Sequence, residues 1–341
     1  MQVESIRNHR QFIDLDRKFF VQQISSGSHI SQFRQVISGV PKGSVLGPLL
    51  LLIYINDLVD VFGSNLTVKL FADDVKIYVN ICDIASSNDL QMGLNALCEW
   101  ASMWQLNISI NKCAVLHLGR NNLSQEYSIN NVCLPHCDAI RDLGILIDSN
   151  LRFSAHYSNI IARAHQRACL IIRCFKSRDP TLLFRAFKVY VRPTLEYCSP
   201  VWSPVYKTDI VKIENIQRRF TKKLRGCKNL SYIERLQLLG AQTLELRRLK
   251  QDLCIIYKII NKLIDVDSDT FFTFNSYKRT RGNSFKLLKP VCINNTRAFN
   301  FSCRNVNCWN SLPDYCVCAE SFNIFKSCIN GTDFSKFLYI S

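Results

Sequence analysis

The 341-residue sequence has no apolar run long enough to cross a membrane. Its longest, Val45 to Ile55, is interrupted by Gly47 and Pro48 and falls short of the ~20 residues a spanning helix needs. No basic segment followed by an apolar stretch opens the chain at Met1-Gln2-Val3-Glu4-Ser5, so no signal peptide is read and a reducing, intracellular setting is expected. There is no repeat, no low-complexity tract, and no histidine after His165. In a reducing setting the 16 cysteines read as small buried hydrophobes or free thiols, not as a disulfide framework. Two groups are candidates for zinc ligation: Cys133 and Cys137 beside His136, and Cys303, Cys308, Cys316 and Cys318. Neither has the paired short-spaced knuckles of a structural zinc site, and both read as scattered thiols.

Acid is scarce where base is dense. Residues 1–150 hold 11 basic and 14 acidic side chains, 151–262 hold 23 and 7, and 263–341 hold 9 and 6, so the middle block alone accounts for the net charge of +16. Such an asymmetry points to a polyanion, nucleic acid before membrane. With 48% hydrophobic residues the chain has ample material for a core, and its length suggests two or three globular units at roughly 150 residues each.

Along the chain, residues 1–38 are mixed and polar, with a β-like alternation over 19–24 and a turn at 25–28. Gly39 to Pro48 is a glycine- and proline-punctuated loop that launches a helix from Leu49 to about Val61, Pro48 suiting its first position. Val68–Ala72 and Val75–Val79 read as a β-hairpin with Asp73-Asp74 at its tip. Leu90, Leu94, Leu97, Ala101 and Trp104 recur at helical spacing, giving a helix over about 87–105 with Trp100 and Trp104 as core residues. Strands are expected over 108–110, 114–118 and 139–147, with a hairpin turn at Asn130-Asn131. The first 148 residues then suit one sheet backed by helices. Helices are expected over 155–176, 181–197, 209–225, 232–239 and 244–263, with breaks at Pro180 and Gly226. Residues 264–341 read as a looser, irregular tail.

An Asp-Asp pair between apolar strands is costly unless a cation offsets the repulsion, and hard divalent cations such as Mg²⁺ prefer those oxygens. Alone the dipeptide is a weak signal, since most such pairs are solvated turns. Its neighbours strengthen it. Gly39-Val40-Pro41-Lys42-Gly43-Ser44-Val45-Leu46-Gly47-Pro48, Tyr54-Ile55-Asn56-Asp57-Leu58, Phe71-Ala72-Asp73-Asp74, Asn107 with Asn111-Lys112, and Leu143-Gly144-Ile145 with Asp148 form an ordered series. The series resembles motifs B, C, D and E of the reverse transcriptases of non-LTR retrotransposons, the jockey-like LINE elements. The resemblance extends over about residues 12–330, taking in Arg279-Thr280-Arg281-Gly282, Trp309-Asn310-Ser311-Leu312-Pro313 and Phe325-Lys326.

The resemblance implies an α+β fold: a partial polymerase palm over 1–148, a basic helical thumb over 149–263, and a tail over 264–341. It implies RNA-directed DNA polymerase activity, with an RNA template, a DNA primer or hybrid duplex, deoxynucleoside triphosphates and Mg²⁺. Asp73 and Asp74 would hold the metal, and Lys112 would protonate or neutralise the pyrophosphate leaving group. Gly39, Pro41, Lys42, Gly43 and Ser44 would lie against template and nucleotide, and Leu143–Ile145 would belong to the primer grip. Nuclear localisation follows from the resemblance alone, and no protein partner is inferred.

Two departures stand out. The family carries a third metal-binding aspartate, in motif A, several tens of residues before motif B. Asp14 is only 25 positions before Gly39 and reads as a turn or strand-edge residue, so an N-terminally truncated element is expected. Lys42 stands where the family normally has Gln. The alternative function is therefore a catalytically inactive remnant that only binds nucleic acid. For that binding the candidates are Arg218, Arg219, Lys222, Lys223 and Arg225, at i, i+3, i+4 spacing on one helix. Asp57, His156 and His165 read as structural or solvated side chains.

Overall fold

The computed structural model describes residues 21–23, 25–35, 43–119, 122–275 and 285–340. The chain divides into two compact units, Met1–Cys137 and Asp138–Ser341. Both mix helices with small antiparallel ribbons, an α+β composition. Among the described residues the strands pair only two by two, so the single sheet expected of the first 148 residues is not formed there.

In the first unit, residues 21–22 pair with 34–35 and residues 25–26 with 29–30. Helix α1, Gly47–Tyr54, carries Pro at its start and hands over to a 3₁₀ turn at Asn56–Val61, so the helix expected to Val61 tightens at Ile55. Strands β1, Thr67–Phe71, and β2, Asp74–Tyr78, form the expected hairpin. Helix α2, Ile84–Met103, starts three residues before the expected position 87, because Asp83 caps it by accepting from the Ser86 amide at 2.8 Å. Its apolar stripe serves two cores. Leu97, Trp100 and Ala101 meet Ile55 and Leu58 with Leu70 and Ile77 of the hairpin, while Leu94 meets Tyr127, Ile129 and Leu134.

No strands form over 108–110 and 114–118. Ile110–Lys112 is a 3₁₀ turn, and Val115 makes one isolated bridge to His136. Ile108 and Ile110 instead turn into the cores under α2, where burial outweighs strand propensity. Strands β3, Ser128–Ile129, and β4, Val132–Cys133, are joined by Asn130 and Asn131, both left-handed (φ 49° and 62°), the conformation a two-residue hairpin loop demands.

The second unit opens with β5, Ala139–Asp142, and β6, Ile145–Asp148, so the expected strand over 139–147 is a hairpin. Its turn is Leu143-Gly144, φ 43° and 88°. Ile145 and Ile147 bury this hairpin in the helical core of the second unit. Asp148 then shapes the chain, accepting from the amides of Asn150, Arg152 and Phe153 at 3.1, 3.1 and 2.6 Å ahead of helix α3, Ser154–Cys174.

Helices α4, Pro180–Tyr190, and α5, Arg192–Glu196, divide the helix expected over 181–197 near Pro193, which cannot donate its backbone nitrogen. Helices α6 (Ser199–Trp202), α7 (Lys207–Lys222), α8 (Tyr232–Leu238) and α9 (Leu244–Ile260) follow. Leu183, Phe187, Leu195, Trp202, Ile213 and Phe220 fill their common core.

The described residues 264–275 and 285–340 are more regular than the loose tail expected from sequence. Short helices and α10, Phe322–Gly331, build a second core against α9 from Ile256, Tyr257, Trp309, Phe325 and Ile329. The aromatic density that looked irregular in one dimension is the content of that core. Trp309 is fully buried and donates to Phe285 O at 2.9 Å, while Asn310 exchanges two hydrogen bonds with the Leu287 backbone at 2.9 and 2.8 Å. Arg279–Gly282 lies outside the described residues.

Candidate active site and nucleic-acid interface

The β1–β2 hairpin has two unlike faces. Leu70 and Ile77 point into the core against α2, whereas Thr67, Lys69, Phe71, Asp74, Lys76 and Tyr78 stand on the open face. Phe71 and Asp74 are directly paired, leaving Ala72-Asp73 as a two-residue loop. Ala72 is left-handed (φ 51°), a position where such loops favour glycine. Backbone strain of this kind, of order 1 kcal/mol or more, persists where the surroundings fix it, and it turns two successive carboxylates outward. Phe71, 62% exposed, flanks them.

Asp73 and Asp74 are both exposed, and among the described residues neither carboxylate has a hydrogen bond or ion pair. Two adjacent carboxylates without a competing cation suit a hard divalent ion. Among the described residues no group of three or more His, Cys, Asp or Glu side chains is assembled for a metal, so further ligands there would be water, substrate phosphate or residues outside the described set.

Lys112 is exposed at the end of its 3₁₀ turn, tethered through Ile110 to the core under α2 that also receives Ile77. No ion pair joins it to Asp73 or Asp74. Gly43 is left-handed (φ 83°), and Ser44 accepts from the Gly47 amide at 3.0 Å, fixing the entry to α1. Gly39, Pro41 and Lys42, like Asp14, lie outside the described residues. Asp57 is structural: its carboxylate accepts from the Trp100 indole at 3.2 Å. The sequence reading missed an apolar surface next to the hairpin's sequence neighbours. Val45, Leu46, Leu49 and Leu52 are exposed by 93, 41, 52 and 49%, a consequence of the unbroken Leu49–Leu52 run, which leaves α1 without a polar face.

The cationic residues cluster at the C-terminal end of α7, where they also complement the helix dipole. Arg219, Lys222, Lys223 and Arg225 are exposed. Arg218 is turned inward, its guanidinium 4.6 Å from the centre of the Tyr232 ring. Behind this surface lies a buried polar network without a local sequence signal. Glu214 accepts from Tyr232 Oη and from the amides of Leu244 and Glu245, and burial pushes its carboxyl above the usual range. Asp252 accepts from Arg304 at 2.8 and 3.0 Å and from Asn305 at 2.9 Å. Glu245 accepts from the amides of Tyr339 and Ile340 at 3.0 and 2.9 Å, fastening the C-terminal segment to α9. His156, buried beside Trp202, accepts from Leu146 N at 3.2 Å, and burial lowers it to about 4, so it is neutral.

A family profile described as reverse transcriptase (RNA-dependent DNA polymerase) matches residues 3–147, taking in the Asp73-Asp74 hairpin. This part of the chain is similar to reverse transcriptase domains. The relatives it resembles are polymerases of non-LTR retrotransposons. The chain is 30% identical over 210 residues to a probable RNA-directed DNA polymerase from transposon X-element of Drosophila melanogaster, covering 59% of this chain and 23% of that protein. It is 27% identical over 214 residues to the RNA-directed DNA polymerase from mobile element jockey of the same species, covering 60% and 23%. The jockey polymerase of Drosophila funebris is 28% identical over 207 residues, covering 58% and 23%. The matched part of the chain thus spans about a quarter of the length of these relatives. No solved structure matches the chain. Among the described residues no helix is long and apolar enough to cross a membrane.

Proposed function

We propose that the chain contributes the metal-binding hairpin and the duplex-binding helices of an RNA-directed DNA polymerase, extending a DNA 3′ end on an RNA template from deoxynucleoside triphosphates. The observation that carries this reading is the pair of exposed, unpartnered carboxylates at the tip of β1–β2. In this reading Asp73 and Asp74 hold Mg²⁺, which when bound activates the attacking hydroxyl and stabilises the leaving oxygen. Lys112 meets the charge developing on pyrophosphate, its exposed ammonium being free to do so. The backbone around Gly43 and Ser44 approaches template and nucleotide. Residues 1–148 correspond to a partial polymerase palm, with Leu143–Ile145 in the primer grip, the helices over 149–263 to a thumb, and 264–341 to a tail. Arg219, Lys222, Lys223 and Arg225 contact duplex phosphates, with Arg218 holding that helix end against α8. Family resemblance adds nuclear localisation.

Primer extension on an RNA template, with the chain supplied alone and together with a separately expressed fragment bearing the family's motif A, tests the reading. Extension that is lost in Asp73→Ala supports it. Absence of extension in both settings sinks the enzymatic reading. A second reading, a binder of nucleic acid without chemistry, is favoured by the placement of charge, because the exposed cations lie in the second unit and the acid pair in the first. It predicts binding that Asp73→Ala leaves unchanged.

A further inference from the structure

The structure brings together two histidines that are nineteen positions apart. His117 Nε2 and His136 Nδ1 are 2.8 Å apart, with ring centroids 4.8 Å apart and planes 22° from parallel. The two nitrogens therefore meet nearly head-on across one shared hydrogen. The backbone fixes this meeting: Val115 N donates to Pro135 O and Cys137 N to Val115 O, both at 3.0 Å, around the parallel bridge of Val115 to His136. The His117 ring also lies 6.3 Å from that of Tyr127, whose hydroxyl is bonded to Ser87 of α2 at 2.8 Å. His117 is half-buried and His136 exposed, so the pair is braced on one side and open to solvent on the other.

We propose that His117 and His136 form a binding site for a borderline-soft divalent cation of the Zn²⁺ type, separate from the hard-cation chemistry of Asp73 and Asp74. Imidazole nitrogens are preferred ligands of such ions, and two held on adjacent extended segments chelate with little loss of freedom. Zinc–nitrogen bonds of about 2.0–2.1 Å at a tetrahedral angle require nitrogens about 3.3 Å apart with both lone pairs turned off the line that joins them, so binding would open the pair by about 0.5 Å and turn both rings. The proton between the facing nitrogens moves to the outer nitrogen of its own ring. A neutral pair thus binds the ion without net proton release, and a protonated pair loses one proton to solvent. Among the described residues no third His, Cys, Asp or Glu completes the set, so the remaining positions belong to water or to a donor on a bound partner. Sequence spacing could not reveal the site, because it paired His136 with Cys133 and Cys137 and left out His117.

The test is titration of the full chain with Zn²⁺, followed by calorimetry and by the imidazole ¹H–¹⁵N signals. One equivalent is expected to shift the signals of two histidines, and affinity should fall at least tenfold in His117→Gln and in His136→Gln. Asp73→Ala and Cys133→Ser should leave it unchanged. Zn²⁺ binding that survives both histidine variants, or that vanishes in Cys133→Ser while persisting in them, overturns the assignment. Because the signal shifts are read in the unsubstituted chain, a variant that fails to fold does not rescue the proposal: if no histidine signal moves, it is wrong.

Discussion

The two units solve opposite problems. Residues 1–137 carry 10 basic and 11 acidic side chains, and their described part exposes large apolar groups such as Val45, Leu49, Leu52 and Phe71 as well as an unpartnered acid pair. Residues 138–341 carry 33 basic and 16 acidic side chains and bury several charges in hydrogen-bonded networks, Glu214, Glu245 and Asp252 among them. Surface acids cost little to leave open in water, whereas a buried charge must be matched. The first unit thus leaves its acid pair open to a ligand, and the second uses several of its buried charges to hold helices together.

The sharpest way to break this contrast is to remove one carboxylate of the open pair. Asp73→Ala or Asp74→Ala is expected to reduce primer extension by at least about a thousandfold, with hybrid-duplex affinity unchanged and the melting curve within about 0.5 kcal/mol of the parent. Asp252→Ala should do the reverse. It leaves Arg304, which reaches from Asp252 to Pro200 O, without its buried partner, and urea denaturation is expected to show a loss of about 3–5 kcal/mol. Equal stability losses from the two substitutions would remove the distinction between the units.

Charge placement gives the next test. Neutralising Arg219, Lys222, Lys223 and Arg225 together should flatten the salt dependence of duplex binding by about three to four in log–log slope, read by fluorescence anisotropy across a salt series. Arg218→Gln should instead lower stability more than affinity, because its guanidinium lies on Tyr232.

The smallest effect is a pH response confined to the second unit. His156 is held at about 4, below its ordinary value of 6.5, so the folded chain keeps it neutral while the unfolded chain binds a proton first. Its contribution is present above pH 6.5 and is lost as pH falls from 6.5 to about 4, on the order of 2–3 kcal/mol in all. His156→Asn, which keeps an acceptor near Leu146 N, should remove that slope in denaturation measured between pH 7 and pH 4.

Local signals survived folding well. The Asp73-Asp74 hairpin, the stripe of α2 and the turn at Asn130-Asn131 were legible because each depends on a few adjacent residues: alternation, 3.6-residue spacing, or tolerance of a left-handed backbone. The same kind of signal existed at Leu143-Gly144 but was hidden in an apolar run, so the β5–β6 hairpin read as one strand. Residues 108–118 read as strands because their β-branched residues fit one, yet a core under α2 claimed them. Of the proposed nucleotide-contacting loop, only Gly43 and Ser44 fall among the described residues.

By itself the sequence determined the resemblance to reverse transcriptases, the acid pair and the location of the positive charge, since motif order and residue counts need no third dimension. Only the tertiary structure decided that Arg218 packs on Tyr232, that residues 285–340 complete the core along α9, and that His117 meets His136. Each of these is a contact between residues distant in sequence, selected by burial and hydrogen-bond satisfaction in the folded chain, and no local pattern encodes it.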